Sequence, residues 1–98
     1  MQKIRPFTHP GIILKEEFAE PLNLTQAKLA YDLGVGIKTV SELYNEKRGI
    51  SPLMAIKLSV YFGTTPEFWM NLQSNYDLYK TFLKEKEEIE KIKALKIA

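Results

Sequence analysis

The chain of 98 residues contains no cysteine and a single histidine. A disulfide framework and a thiolate metal centre are excluded, and with no cysteine and no second histidine a zinc site is not expected. No apolar run approaches the roughly 18 residues of a membrane span. Residues 1–8 lack the apolar stretch of a secretion signal. The expectation is a soluble, cytoplasmic protein with no membrane partner. Nucleophile, base and orienting group form no constellation anywhere, so neither an enzyme nor a cofactor is expected. Glu16-Glu17 and Glu87-Glu88 read as solvated helix faces, and His9, next to Pro10, as a structural or capping group.

Charge of one sign is also scarce. The net charge is +2; residues 1–79 carry eight basic and eight acidic side chains, and residues 80–98 carry six Lys against four Glu. The excess therefore lies in the tail. A basic footprint for nucleic acid would have to be local, from Lys28, Lys38, Lys47 and Arg48.

What is present is a hydrophobic fraction of 45%, distributed at helical spacing. Strand-like alternation, internal repeats and low-complexity linkers are missing. Residues 1–9 read as an extended arm. A first helix opens at Pro10-Gly11 with Ile13, Leu14 and Phe18 on one face, and Pro21 ends it. Thr25 caps a short second helix over Gln26 to Leu33, with Leu29, Ala30 and Leu33 inward and Gly34 as a left-handed stop. Gly36 opens a third helix, Val40 and Leu43 face the core, and Asn45 closes it. Ser51-Pro52 starts a fourth helix, with Met54, Ala55, Leu58 and Phe62 on its apolar face and Gly63 at its end. Thr65-Pro66 repeats that start signal for a fifth helix, expected to reach about Leu95.

Two short helices joined tightly at Gly34 are the physical content of a helix-turn-helix, placed here at residues 25–45. Ala30 is small where the helices must approach. The core positions leave Gln26, Gly36, Ile37, Lys38, Thr39 and Glu42 on the outer face. Gln26, Lys38 and Thr39 suit polar contact with DNA, and Ile37 suits a thymine methyl. Glu42 either accepts from a cytosine amino group or repels non-specific DNA. Lys47 and Arg48 suit phosphate, and Thr25 and Gly36 stand where helix N-termini offer amides to it.

The run from Leu24-Thr25-Gln26 to Asn45 resembles the Xre/Cro-type helix-turn-helix family, with its lambda-repressor-like fold. Flanking residues sharpen the resemblance to HigA-type antitoxins. They are His9-Pro10-Gly11, Leu14-Lys15-Glu16-Glu17-Phe18, Pro21-Leu22, Lys47-Arg48-Gly49-Ile50-Ser51-Pro52, Ala55, Leu58, the run Pro66 to Gln73, and Asn75-Tyr76-Asp77-Leu78. The resemblance spans about residues 9–79. It implies a dimeric bacterial antitoxin that neutralises a HigB-type mRNA-cleaving toxin and represses its own operon by binding double-stranded operator DNA. Two departures stand out. Gly36 and Ile37 replace the family's usual Ser or Thr and Arg. The family's Asn-Gly-Lys-Arg turn reads Asn45-Glu46-Lys47-Arg48, which predicts a locally different turn because Glu disfavours a left-handed position.

The expected architecture is all-α: an arm (1–9), a five-helix DNA-binding domain (10–79) and a charged helical extension (80–98). Phe68, Leu72, Tyr76, Tyr79 and Leu83 form a stripe on helix five that suits a dimer interface, joined by Phe82. The competing reading of the tail is a frayed segment that orders only on the toxin. A free-standing regulator without a toxin and a pure protein-interaction module are the alternative functions.

Overall fold

The computed structural model describes residues 8–96, and every regular element among them is helical. Helix α1 (Pro10–Ile13) runs without a break into a π-helical segment, Leu14–Ala19. Then come α2 (Gln26–Leu33), α3 (Ile37–Tyr44), α4 (Pro52–Phe62), α5 (Pro66–Lys84) and α6 (Lys86–Glu90).

The helix boundaries follow local chemistry. Thr25, Ser51 and Thr65 hold extended backbone, and their hydroxyls accept from the amides of Lys28, Met54 and Phe68 at 3.1, 3.2 and 3.1 Å. Pro52 and Pro66 follow their caps directly, where a missing amide costs nothing. Gly34 and Gly63 end α2 and α4 in the left-handed conformation, each at φ 70°. In the π-helical segment the Glu20 amide donates to the Lys15 carbonyl five residues back. That wider winding lets Leu14 and Ala19, also five apart, both be buried.

The core is one cluster. Leu14, Leu29, Val40, Leu43, Ala55, Leu58 and Trp69 are fully buried, and Phe18 and Phe62 pack against its edge. Trp69 is its aromatic centre: Phe18 lies 4.9 Å away and Phe68 5.1 Å away between ring centroids. Its indole N–H donates to the Thr64 hydroxyl at 2.7 Å, which satisfies the one polar atom of a buried ring.

The inward stripe of α5 is centred on Trp69, while Phe68 stays 38% exposed. One expectation needs correction. The fifth helix stops at Lys84 instead of reaching Leu95, because Glu85 leaves helical geometry at φ −107° and ψ 19°. The short α6 that follows buries no residue. After Leu83 no apolar face meets the core, and without packing a short, charged helix is held by propensity alone.

His9, expected as a structural or capping group at the end of the arm, is the N-cap of α1. Residues 1–7 of that arm lie outside the described residues. The His9 ring is buried, and its Nδ1 accepts from the Gly11 amide at 2.9 Å, capping α1. The ring meets Tyr76 of α5 edge-on at 4.8 Å. Gly11 presses against the end of α3 so closely that a Cβ there would collide with the Leu43 carbonyl.

Burial lowers the His9 pKa from its ordinary value, against the opposing pull of the Glu46 and Asp77 carboxylates and the Arg48 carbonyl. The native state thus favours the neutral ring, whose Nδ1 lone pair makes the cap. A lowered histidine pKa means that the unfolded chain binds more protons just below pH 6.5. The contribution is complete above that value and is lost as pH falls from it through the native pKa. We expect the unfolding free energy to fall between pH 7 and 5.5, with a slope no steeper than about 1.4 kcal/mol per pH unit, one proton's worth. Asn at position 9 retains a capping oxygen but does not titrate, so His9→Asn should flatten the profile. Thermal melts across this range check it; a His9→Asn chain with the full pH dependence would place the proton elsewhere.

Candidate nucleic-acid interface

Helix α3 is held from behind. Val40, Leu43 and Tyr44 are its buried residues, so the opposite side is fixed toward solvent. The joint to α2 is a tight left-handed stop: the Gly34 amide donates to the Tyr31 carbonyl at 3.2 Å, and the Val35 amide to the Ala30 carbonyl at 3.0 Å. Thr25, Gln26, Gly36, Ile37 and Lys38 are exposed, and Thr39 and Glu42 are half-buried. Ile37 leaves 55% of its surface in water.

Gly36 caps α3 without any side-chain hydrogen bond. Its φ is −73°, which any residue adopts, and a Cβ on it would meet nothing within 4 Å. Nothing inside the chain therefore requires glycine. The small residue leaves the amides of the α3 N-terminus open to a group from outside, at the end where the helix dipole favours an anion.

The charged residues of the expected site divide into two kinds. Arg48 reaches back from the turn after α3 and donates to Glu42 Oε1 through Nη2 at 2.8 Å and Nε at 3.1 Å. This hydrogen bond holds the Glu42 carboxyl below its ordinary pKa, with the charges of Arg48, Lys38 and Lys47 adding to it. Lys28 is likewise engaged, 3.0 Å from Asp32, which also accepts from the Tyr61 hydroxyl at 2.6 Å. Lys38 and Lys47 are exposed and make no ion pair among the described residues. The local basic footprint thus contains two paired cations and two that remain available.

The turn carrying Lys47 and Arg48 is more ordered than its sequence suggested. The Glu46 amide donates to the Leu43 carbonyl and the Lys47 amide to the Glu42 carbonyl, at 3.2 and 2.8 Å. That is a Schellman closure with Glu46 in the left-handed position at φ 60°. The expectation of a different turn is overturned: the geometry suited to glycine is kept, at about 1–2 kcal/mol of strain. From the other side, Gln73 Oε1 of α5 accepts from the Ile50 amide at 2.6 Å. Gln73 also fills the space where a Cβ on Gly49 would sit, and its own amide donates to Asp77 at 2.9 Å. The residue reading missed this brace. Its signal was a polar side chain four residues after Trp69, on the buried stripe of α5.

The residues expected at a dimer interface are spread around α5. Leu72 packs at the edge of the core and Tyr76 contacts His9, so both already serve the protomer. Tyr79 and Phe82 are half-buried, and Phe68 and Leu83 are exposed.

A helix-turn-helix family profile matches residues 14–69, which spans the π-helical segment through Trp69. The chain is 49% identical over 72 residues to a helix-turn-helix transcriptional regulator of Haemophilus influenzae, covering 74% of this chain and 67% of that protein. It is 44% identical over 85 residues to antitoxin HigA-1 of Vibrio cholerae serotype O1, covering 87% of this chain and 80% of that one. Its fold is similar to that of the Pseudomonas aeruginosa antitoxin HigA solved with the higBA promoter, with a TM-score of 0.88 and 43% identity over 94% of this chain and all of that one. With the helices, their turn and the surrounding core shared across these lengths, the chain belongs to the helix-turn-helix family, in its HigA branch.

Proposed function

We propose that this chain is the antitoxin of a bacterial toxin–antitoxin pair, a cytoplasmic protein that binds operator DNA as a homodimer, represses its own operon and neutralises a HigB-type toxin. One observation carries the DNA part. The inner side of α3 is locked in the core, while Gly36, Ile37 and Lys38 stand exposed at its N-terminal end, in a fold shared with an antitoxin solved on a promoter. No cofactor or metal enters this reading. Among the described residues no group of His, Asp and Glu could hold a metal, and no helix is long and apolar enough to cross a membrane.

In this reading residues 10–79 form the DNA-binding unit. Gln26, Ile37, Lys38 and Thr39 read bases, Thr25, Gly36 and Lys47 meet the backbone, and Glu42 and Arg48 stand beside them as an ion pair. Lys38→Ala should then weaken operator binding by about 1–3 kcal/mol, if the ammonium pairs with guanine, and relax sequence preference. Lys47→Ala should weaken all sequences alike and reduce the salt slope by about one. Fluorescence anisotropy on operator and scrambled duplexes separates the two. Unchanged operator affinity in both Lys38→Ala and Ile37→Ala would move the reading surface elsewhere.

An eight-residue reading helix covers too few base pairs for useful specificity, so two copies at fixed spacing are needed. The described chain, with its helical extension, measures 56 × 24 × 22 Å, and Trp69 is the one fully buried residue of α5. The distal part of α5 thus offers Tyr79, Phe82 and Leu83, with Phe68, Leu72 and Tyr76 nearer the core, as a surface for a second chain. Residues 80–98 are its charged extension. A chain ending at Leu78 should sediment as a monomer and lose operator affinity. A dimer of full affinity would put the contact near Phe68 and Leu72 or off α5.

The toxin partner rests on the similarity to HigA proteins. Co-expression with the small open reading frame beside its gene should relieve the growth arrest that frame causes. The similarity to a relative named only as a transcriptional regulator supports the second reading, a free-standing repressor, and a failed rescue would favour it.

A further inference from the structure

The Glu42–Arg48 pair lies on the side of α3 that the proposed function turns toward DNA. A carboxylate on such a surface opposes every DNA sequence unless something compensates it. Here the compensation comes from the chain itself. Two donors of Arg48 converge on the same oxygen, Oε1, at 2.8 and 3.1 Å. The pair spans six residues, from the helix to the turn after it, so it is not the usual surface contact of a helix with itself. The turn does not need it for its shape: the Schellman bonds and the Gln73 brace fix the backbone at Glu46, Lys47 and Ile50. Glu42 and Arg48 keep 26% and 50% of their side-chain surface in water, where ion pairs add little stability.

We propose that Glu42 is a specificity-determining positioning residue: by holding Arg48, it withdraws that cation from sequence-independent attraction to phosphates and leaves the preference for operator to the base-reading groups of α3. The proposal rests on the DNA-reading face described above. Lys38 and Lys47, whose charges also act on Glu42, remain outside the pair and supply the local positive field. Arg48 contributes a guanidinium whose position is set before DNA arrives, and whose charge is balanced until a phosphate competes for it.

The test measures the full chain by fluorescence anisotropy on the duplex upstream of its own gene and on a scrambled duplex of equal length, from 50 to 200 mM salt. Glu42→Gln keeps the shape and removes the charge. It should raise affinity for the scrambled duplex and steepen the slope of log K against log salt by about 0.9, one additional phosphate. The gain over wild type should shrink about 3.5-fold across that salt range, and the ratio of operator to scrambled affinity should fall. In an Arg48→Ala background the same substitution should leave the slope unchanged. An unchanged slope and ratio for Glu42→Gln overturns the proposal. So does an equal steepening in the Arg48→Ala background, since Glu42 would then act by bare repulsion. A wild-type chain with no preference for its upstream duplex defeats the DNA-reading face itself, and this inference with it.

Discussion

How closely the first helix can approach the end of the third decides whether this domain can close. Gly11 lies where a Cβ would strike the Leu43 carbonyl, so the contact exists only because that atom is missing. Around it the chain concentrates polar accounting that a buried helix start would otherwise leave undone. His9 satisfies the Gly11 amide, and Pro10 has no amide to satisfy. The same histidine ring leans on Tyr76, which brings α5 to the junction. Three segments distant in sequence thus meet at one histidine-proline-glycine step. The orientation of α3 follows from that meeting as much as from the turn at Gly34.

The exposed face and the buried face of α3 are consequences of one another. Val40, Leu43 and Tyr44 leave the helix no freedom to roll, so the opposite residues point outward whatever their chemistry. That rigidity makes side chains at the N-terminal end usable for recognition. It also makes the turn behind them part of the surface. Glu46 accepts a left-handed backbone position there, while Gln73 braces the following strand of chain from α5. Strain at Glu46 is tolerated because both carbonyls at the helix end find amides through that geometry.

Much of this could be read directly along the chain. Thr25, Ser51 and Thr65 announced their helices because capping is a contact between residues three apart. Gly34 and Gly63 announced the stops for the same local reason. Leu29, Leu33, Val40, Leu43 and Leu58 were legible as core from helical periodicity alone. Periodicity alone does not separate two apolar residues that stand side by side. Phe68 and Trp69 are adjacent, and helical spacing allows either to lead the inward stripe. Phe18 of the π-helical segment and Phe62 of α4 flank the indole, with Thr64 in place for its N–H. The reach of α5 was also misjudged, because spacing continues to suggest a helix after the core that would stabilise it has ended.

The sequence by itself determined the number of folded helices in the body, their caps and stops, the helix-turn-helix between Thr25 and Asn45, and the outer position of Gln26, Ile37 and Lys38. All of these depend on contacts within one or two helical turns, which a linear pattern records. Only the tertiary structure decided that Tyr76 closes on the His9 ring, that Gln73 supports the turn at Ile50, and that Arg48 is paired with Glu42. The first two join residues that only packing brings together. The third depends on the path of a left-handed turn that the glutamate in it seemed to forbid.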